Sequence, residues 1–196
     1  EENMYNNQRI IKELKPYIPA ADIFRIYEKE AGCAFLDSSL VNDLGRYSII
    51  GRAPYLKLVK DGDTFTVNGK PETGKTFEDY MREYLNTHED KNECPLPIVS
   101  GAIGYFSYDY GREQMGVPTG EKDLVTIPEA VLTFYDCFIV EDCREKRTYL
   151  VSNGITGNAP ELIRSIEKEI QENVKFGKIS VSVSYTHLRA HETEAD

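Results

Sequence analysis

The 196 residues contain no C-x-x-C pair, no apolar run near membrane-spanning length and no excess of positive charge. Each absence excludes something. A spanning helix needs about 20 consecutive apolar residues, and the longest run here falls far short. Lys and Arg number 23 against 33 Asp and Glu, a formal net charge of −10, which argues against a nucleic-acid or anionic-membrane partner. Cys33, Cys94, Cys137 and Cys143 lack metal-ligand spacing and form no dense framework, so reduced thiols are expected. Only one of the three histidines, His88, lies before residue 182, in a polar stretch. No Ser/His/Asp set or nucleophile–base pair can be assembled around it, and no carboxylate spacing singles out an acid/base couple. The opening Glu1-Glu-Asn-Met-Tyr is acidic and polar rather than a secretory leader, and a cytoplasmic protein is expected.

The length suits one domain or slightly more, with enough chain to bury a core. At the far end, Val183-Ser-Tyr-Thr-His-Leu-Arg-Ala-His-Glu-Thr193 reads as a translated sequencing adapter rather than protein. The expected organisation is therefore a domain over 1–181 and an appended tail over 182–196. That tail carries −2 of the charge and leaves −8 on the body. A genuine polar tail is the alternative, with His187 and His191 four apart and Glu192 beside them in a zinc-like arrangement. No third ligand cluster supports it, and no metal site is assigned.

Helices and strands alternate without an internal repeat. Residues 20–31 read as a helix with Ile23, Phe24 and Tyr27 on one side, stopped by Gly32. Residues 33–36 follow as a short buried strand and 45–51 as another. Residues 55–60 and 63–67 form a meander whose Asp61-Gly62 and Asn68-Gly69 supply tight turns. Thr76, with Asp79 three residues on, predicts an N-cap, and Phe77, Tyr80, Met81, Tyr84 and Leu85 share a face that reads as core rather than a cofactor platform. Residues 89–97 are a polar, proline-ended loop. Residues 130–140 and 148–152 read as a hairpin with Glu141-Asp-Cys-Arg-Glu-Lys146 as its solvated tip. Asn158 then caps a helix with Pro160 in its first turn and Leu162, Ile163, Ile166 and Ile170 on one face. The fold class is α+β: antiparallel sheets packed together with flanking helices.

Two stretches carry the chemistry. In Ala34-Phe-Leu-Asp-Ser-Ser39, a carboxylate and two hydroxyls leave the end of an apolar strand. Asp37 can pair with an ammonium group, while Ser38 can donate to a carboxylate or accept from an amide; the bland alternative is that both only satisfy a turn. In Gly45-Arg-Tyr-Ser-Ile-Ile-Gly51, alternation sends Arg46, Ser48 and Ile50 to one face and Tyr47 and Ile49 to the other. Arg46 or Ser48 can face the same small ligand as Asp37, or Arg46 can merely pair with Asp37 or Asp43. Further on, Gly101 and Gly104 suggest close approach of another backbone, and Asp109 and Arg112 a local ion pair. Tyr105, Phe106, Tyr108 and Tyr110 are too many aromatics for an idle surface. A lone G-x-x-G with no following lysine or serine does not make a phosphate loop.

The order F/L-L-E/D-S, G-R-Y-S-x-x-G and G-x-x-G-Y-x-x-Y-D-x-G-R, met here at residues 35–38, 45–51 and 101–112, resembles the amino-terminal domain of component I of the chorismate-utilising synthases. These are aminodeoxychorismate (para-aminobenzoate) synthase, of folate synthesis, and anthranilate synthase, of tryptophan synthesis. The resemblance runs from about residue 10 to about residue 180. It implies that Leu36, Asp37, Ser38, Arg46, Tyr47 and Ser48 line a pocket for tryptophan, as feedback regulator or as structural ligand. It implies, too, that Tyr105, Phe106 and Tyr108 face a carboxy-terminal chorismate-binding domain this chain lacks. The whole enzyme in this family uses magnesium and takes ammonia from a glutamine amidotransferase subunit; no catalytic residue and no cofactor is expected in this chain. The Gly-Tyr-Phe-Ser-Tyr-Asp-Tyr-Gly-Arg112 form points toward the aminodeoxychorismate branch, with anthranilate synthase as the close alternative. A stand-alone amino-acid-binding module and a metalloenzyme built on His187 and His191 are the competing readings from other classes.

Overall fold

A 13-residue strand, Ala130–Asp142, organises the molecule, because it runs almost entirely buried and finds partners on both edges. The structure is a computed structural model that describes residues 9–38, 40, 42, 45–116 and 127–177. Its elements in chain order are β1 (Ile10–Leu14), α1 (Ala20–Tyr27), β2 (Ala34–Leu36), β3 (Tyr47–Asp61), β4 (Thr64–Val67), β5 (Lys70–Pro71), α2 (Phe77–Thr87), β6 (Ala102–Phe106), α3 (Tyr108–Gln114), β7 (Ala130–Asp142), β8 (Arg147–Ser152) and α4 (Ala159–Lys175). All the described strands join one antiparallel sheet in the order β1-β8-β7-β3-β4-β5, with β2 added to β3 and β6 to β7. The α+β class with flanking helices is the one the sequence predicts.

Three apolar clusters cover this sheet. Ile23 and Tyr27 of α1 and Ile163, Ile166 and Ile170 of α4 pack with Ile50, Ile139 and Leu150. Leu96 of the proline-ended loop and Val99 just after it pack with Phe138, Val140 and Val151. At the other end of β3 and β7, Phe77 of α2 packs with Leu56, Leu58, Phe65 and Phe134, and Tyr80, Met81 and Tyr84 lie against them. The predicted aromatic stripe is therefore core, except Leu85, which is exposed. Both long helices begin as their sequences dictate: the Thr76 hydroxyl accepts the Asp79 N–H, and the Asn158 side chain accepts the Glu161 N–H.

Several boundaries differ from the sequence reading. The first helix ends at Tyr27 rather than residue 31, because hydrogen bonds from Glu30 N to the Tyr27 carbonyl and from Cys33 N to the Glu30 carbonyl turn the chain twice before β2. The strand predicted as buried is half-buried at Ala34 and Phe35 and exposed at Leu36. Residues 45–51 and 55–60 are one 15-residue strand, not two. Pro54 does not end it: the chain bulges between Pro54 and Leu56, with Ala53 at φ 52°, and resumes pairing with β7. The hairpin tip is shorter than predicted, since Glu141 and Asp142 belong to β7 and are each only 5 % exposed. β1 has no counterpart in the sequence reading.

Close approach explains one of the two flagged glycines. A Cβ on Gly104 would lie 1.9 Å from the Val131 carbonyl oxygen, whereas at Gly101 the surroundings are open and a φ of +124° is what excludes a side chain. Asp109 and Arg112 approach to 3.6 Å, as predicted. No described helix is long and apolar enough to cross a membrane. Ser39, Asp43, the histidines His187 and His191 and the predicted tail all lie outside the described residues.

Candidate functional site

The antiparallel pairing of β2 with β3 sets Leu36 opposite Ile49. The two residues that leave β2, Asp37 and Ser38, therefore land against Tyr47 and Ser48. Four hydrogen-bonding contacts meet there. Ser38 N–H donates to Ser48 Oγ at 2.9 Å, and the Ser38 hydroxyl donates to the Tyr47 carbonyl at 2.6 Å. The Ser48 hydroxyl donates to Asp37 Oδ1 at 3.1 Å and lies 3.5 Å from Cys143 Sγ. Ser48 is 1 % exposed, while Leu36 and Asp37 are exposed and Ser38 is half-buried. The sequence motif thus folds into a carboxylate and a hydroxyl at the surface, seated on a buried serine.

The predicted alternation holds from Tyr47 to Ile50 but not at Arg46. Ser48 and Ile50 turn to the α1/α4 side, and Tyr47 and Ile49 pack with the Phe138 and Val140 cluster. Arg46 joins neither Asp37 nor the ligand side. Its Nε and Nη2 both donate to Asp142 Oδ2, at 3.0 and 2.6 Å, and its guanidinium lies 5.0 Å from the Tyr47 ring centroid. The reason is register: Tyr47 pairs with Asp142, and Cys143 N–H continues the ladder to the Arg46 carbonyl at 2.9 Å. The other Asp142 oxygen accepts the backbone N–H groups of Arg144 and Glu145, both at 3.1 Å. Burial pushes the Asp142 carboxyl up, but the Arg46 guanidinium and these amides outweigh it and hold the pKa below the usual carboxylate range.

Sequence reasoning missed the contribution of the hairpin. Glu141 pairs with Ser48 in the sheet, accepts the Tyr17 hydroxyl proton, and takes the N–H of Ala20 at 2.8 Å at the start of α1. That carboxylate fixes a helix N-terminus instead of facing water. The signal was present as period-two alternation: Glu141 follows Cys137 and Ile139 on the same face of β7. Cys143 is also unforeseen. Burial raises its thiol pKa, and the charges of Glu141 and Asp37 add to the effect despite the contact with Ser48; the thiolate is thereby disfavoured.

Tyr105 and Phe106 lie on β6 at 40 % and 48 % exposure, and Tyr108 at the start of α3 is 88 % exposed. Tyr110 instead turns inward, packing on Phe77 and Phe106 and donating to Glu78 Oε1 at 3.1 Å. Two open cavities lie elsewhere. One of about 740 Å³ sits between the β3–β4 turn and the start of α2; one of about 430 Å³ sits beside Pro54, Tyr55 and Asn68. Neither is lined by Asp37, Ser38 or Ser48. Among the described residues no group of three or more His, Cys, Asp or Glu could hold a metal ion.

No family model matches the chain. It is 31 % identical over 122 residues to the anthranilate synthase alpha subunit 2, chloroplastic, of Arabidopsis thaliana, covering 56 % of this chain and 20 % of that protein. It is 26 % identical over 168 residues to anthranilate synthase component 1 of Acetivibrio thermocellus, covering 76 % of this chain and 33 % of that one. The crystal structure of anthranilate synthase component I from Streptococcus pneumoniae TIGR4 superposes with a TM-score of 0.55 at 18 % identity, over 69 % of this chain and 31 % of that one, and so shares the fold. The chain spans about a fifth to a third of the length of these relatives. The similarity is thus to part of the anthranilate synthase chains.

Proposed function

We propose that this chain is the effector-binding and structural part of component I of a chorismate-aminating synthase, with no chemistry of its own. The observation that carries the reading is the Asp37–Ser38 pair. It presents an anionic and a hydroxyl group at the surface, held from below by Ser48, in a body whose described residues offer no metal cluster. Such a pair recognises the polar head of a free amino acid, and the resemblance at residues 35–38 and 45–51 names tryptophan. Leu36, exposed beside it, offers apolar contact to the ligand's ring. Ser48 acts from beneath, and Arg46, engaged by Asp142, does not touch the ligand.

In the complete enzyme, a chorismate-binding domain packs on the exposed aromatics Tyr105, Phe106 and Tyr108, and a glutamine amidotransferase subunit supplies ammonia. A patch of this kind is costly to leave in water, which supports a covering partner. Magnesium, which the family uses, would bind in the chorismate domain.

The anthranilate branch takes first place, because curated relatives of this chain are anthranilate synthases. The aminodeoxychorismate branch rests on one feature, the Gly104-Tyr-Phe-Ser-Tyr-Asp-Tyr-Gly-Arg112 sequence. The test joins this chain to the catalytic part of the Acetivibrio thermocellus relative and supplies chorismate with ammonium. Anthranilate formation that tryptophan inhibits supports this chain as an effector-binding part. Inhibition by tryptophan that survives Asp37→Ala and Ser38→Ala removes these residues from the effector site. The branch itself is read from the native catalytic sequence adjoining this region, by whether its product is anthranilate or becomes para-aminobenzoate when a lyase is added.

A further inference from the structure

Asparagine precedes glycine twice in the sequence, at Asn68-Gly69 and at Asn153-Gly154. The dipeptide carries a chemistry of its own, because glycine has no side chain to shield its nitrogen from the preceding carboxamide. A bond forms from the glycine nitrogen to Cγ, the Cγ–Nδ2 bond breaks, and the glycine amide proton leaves with the side-chain nitrogen as ammonia. Water then opens the cyclic imide at either carbonyl, giving aspartate or isoaspartate. One water is consumed, one ammonia is released, and nothing is oxidised or reduced. The carboxamide must be free to swing onto the nitrogen, and water must reach the imide.

The fold treats the two sites in opposite ways. Asn153 is half-buried, and its whole carboxamide is engaged. Nδ2 donates to the Val99 and Asp136 carbonyls, both at 2.9 Å, and Oδ1 accepts Arg9 Nε at 2.7 Å. The nitrogen that would attack is occupied too, since Gly154 N–H donates to Ser152 Oγ at 3.3 Å. Reaction there breaks several part-buried hydrogen bonds at once. Asn68 is exposed, in a two-residue turn with φ 50° at Asn68 and 77° at Gly69, closed by the pairing of Val67 with Lys70. Its Nδ2 makes one long bond, 3.3 Å to the Tyr55 carbonyl. Space around Gly69 is open, for a Cβ built there would meet nothing within 4 Å. The Lys57 N–H donates to Asn68 Oδ1 at 2.7 Å, where a backbone donor stabilises the charge that builds on the oxygen as the nitrogen adds.

We propose that Asn68-Gly69 is a self-modification site of the folded chain, whereas the fold holds the same chemistry off at Asn153-Gly154. The co-reactant is water alone. The product alters the sheet, because the Asn68 carboxamide ties the β4–β5 turn to β3 through Tyr55 and Lys57. A carboxylate has no proton for the Tyr55 carbonyl, and isoaspartate adds a methylene to the main chain of a two-residue turn.

The test ages the unaltered chain in mildly alkaline buffer, with and without denaturing urea, and follows conversion of amide to acid at both positions by peptide mass spectrometry. An isoaspartyl methyltransferase identifies the isoaspartate product. Folding is expected to change the Asn68 rate by no more than about threefold and to slow Asn153 at least about tenfold. Slowing of Asn68 as great as that of Asn153 overturns the reactive turn. Conversion of Asn153 as fast in the folded chain as in urea overturns its protection. Asn68→Asp reads the consequence: the backbone amides of residue 68 and Glu72, which donate to the Lys57 and Phe65 carbonyls, should exchange about tenfold faster. Unchanged exchange there overturns the tie to β3, and the rate comparison needs no variant to fold.

Discussion

Arg46 and Asp142 lie 96 residues apart and meet at 2.6 Å at the end of the β3–β7 ladder, tying the β7–β8 hairpin to the segment that leads into β3. Asp142 holds the hairpin backbone at the same time. Its pKa is depressed below the ordinary 3.8, so the stability it contributes is fully present above that value and is lost as the pH falls through the folded-state pKa. Asp90, held by Arg9 and Ser100 against the opposing effect of burial, acts in the same direction. Thermal melts between pH 7 and pH 2 are expected to show stability falling below about pH 4. Asp142→Asn should flatten this acid limb while lowering stability at pH 7; an unchanged acid limb would show that the pair does not control the hairpin.

Gly104 tests the seat of β6. Alanine there drives a Cβ into the Val131 carbonyl and cannot be relieved by a side-chain rotation, because the obstructing atoms are backbone. Gly104→Ala is expected to cost about 3 kcal/mol in urea unfolding and to loosen the amide protection of residues 102–106. A loss below about 0.5 kcal/mol would mean that β6 does not pack as described.

Arg52 clamps the helices to β3. Its guanidinium lies 3.5 Å from the Tyr27 ring centroid, bonds Glu30 at 2.6 and 2.9 Å and approaches Glu169 at 3.5 Å. Arg52→Met keeps the packing volume but leaves two carboxylates facing an apolar chain. About 2 kcal/mol of destabilisation is expected, a value discounted for the partial exposure of Glu30 and Glu169. Arg52→Lys should recover less than half, because an ammonium cannot both stack and bridge. Chemical denaturation of the two variants reads this directly.

The thiols separate by burial. Cys137 is 1 % exposed, and burial pushes its pKa up to about 11, the same value burial gives Cys33. At pH 8 Cys137 should react with a thiol reagent only as fast as the protein unfolds, and its rate should rise with urea in parallel with unfolding. Fast modification of Cys137 under native conditions would contradict the position of β7.

Local rules made some elements legible and left others dark. Asn158 with Pro160 and an isoleucine stripe fixes α4, and Thr76 with Asp79 fixes α2, because caps and helical periodicity act within a few residues. The split reading of β3 arose because proline usually ends a ladder, whereas here the bulge places Pro54 where no amide proton is needed from it. Glu141 and Asp142 looked like a solvated tip because carboxylates near a turn usually are. Their burial is decided by distant partners, Ala20 N–H and Arg46, that no window of neighbouring residues contains. At the site, the meeting of Asp37 and Ser38 with the 45–51 segment could be anticipated from the motif. That Arg46 turns away from the ligand side and Ser48 sits beneath it follows from the β3–β7 register and was not readable.

The most direct test is a tryptophan titration of the labelled chain, followed at the Asp37 and Ser38 amides in parallel with Asp37→Ala. The site is exposed and lies in neither described cavity, so a dissociation constant on the order of 1 mM is expected, with shifts confined to residues 36–38 and 46–48. Asp37→Ala should weaken it at least tenfold without altering the fold. Equal affinity in the variant, or shifts that map to the groove at the start of α2 instead, would contradict the assignment of these residues as an effector half-site.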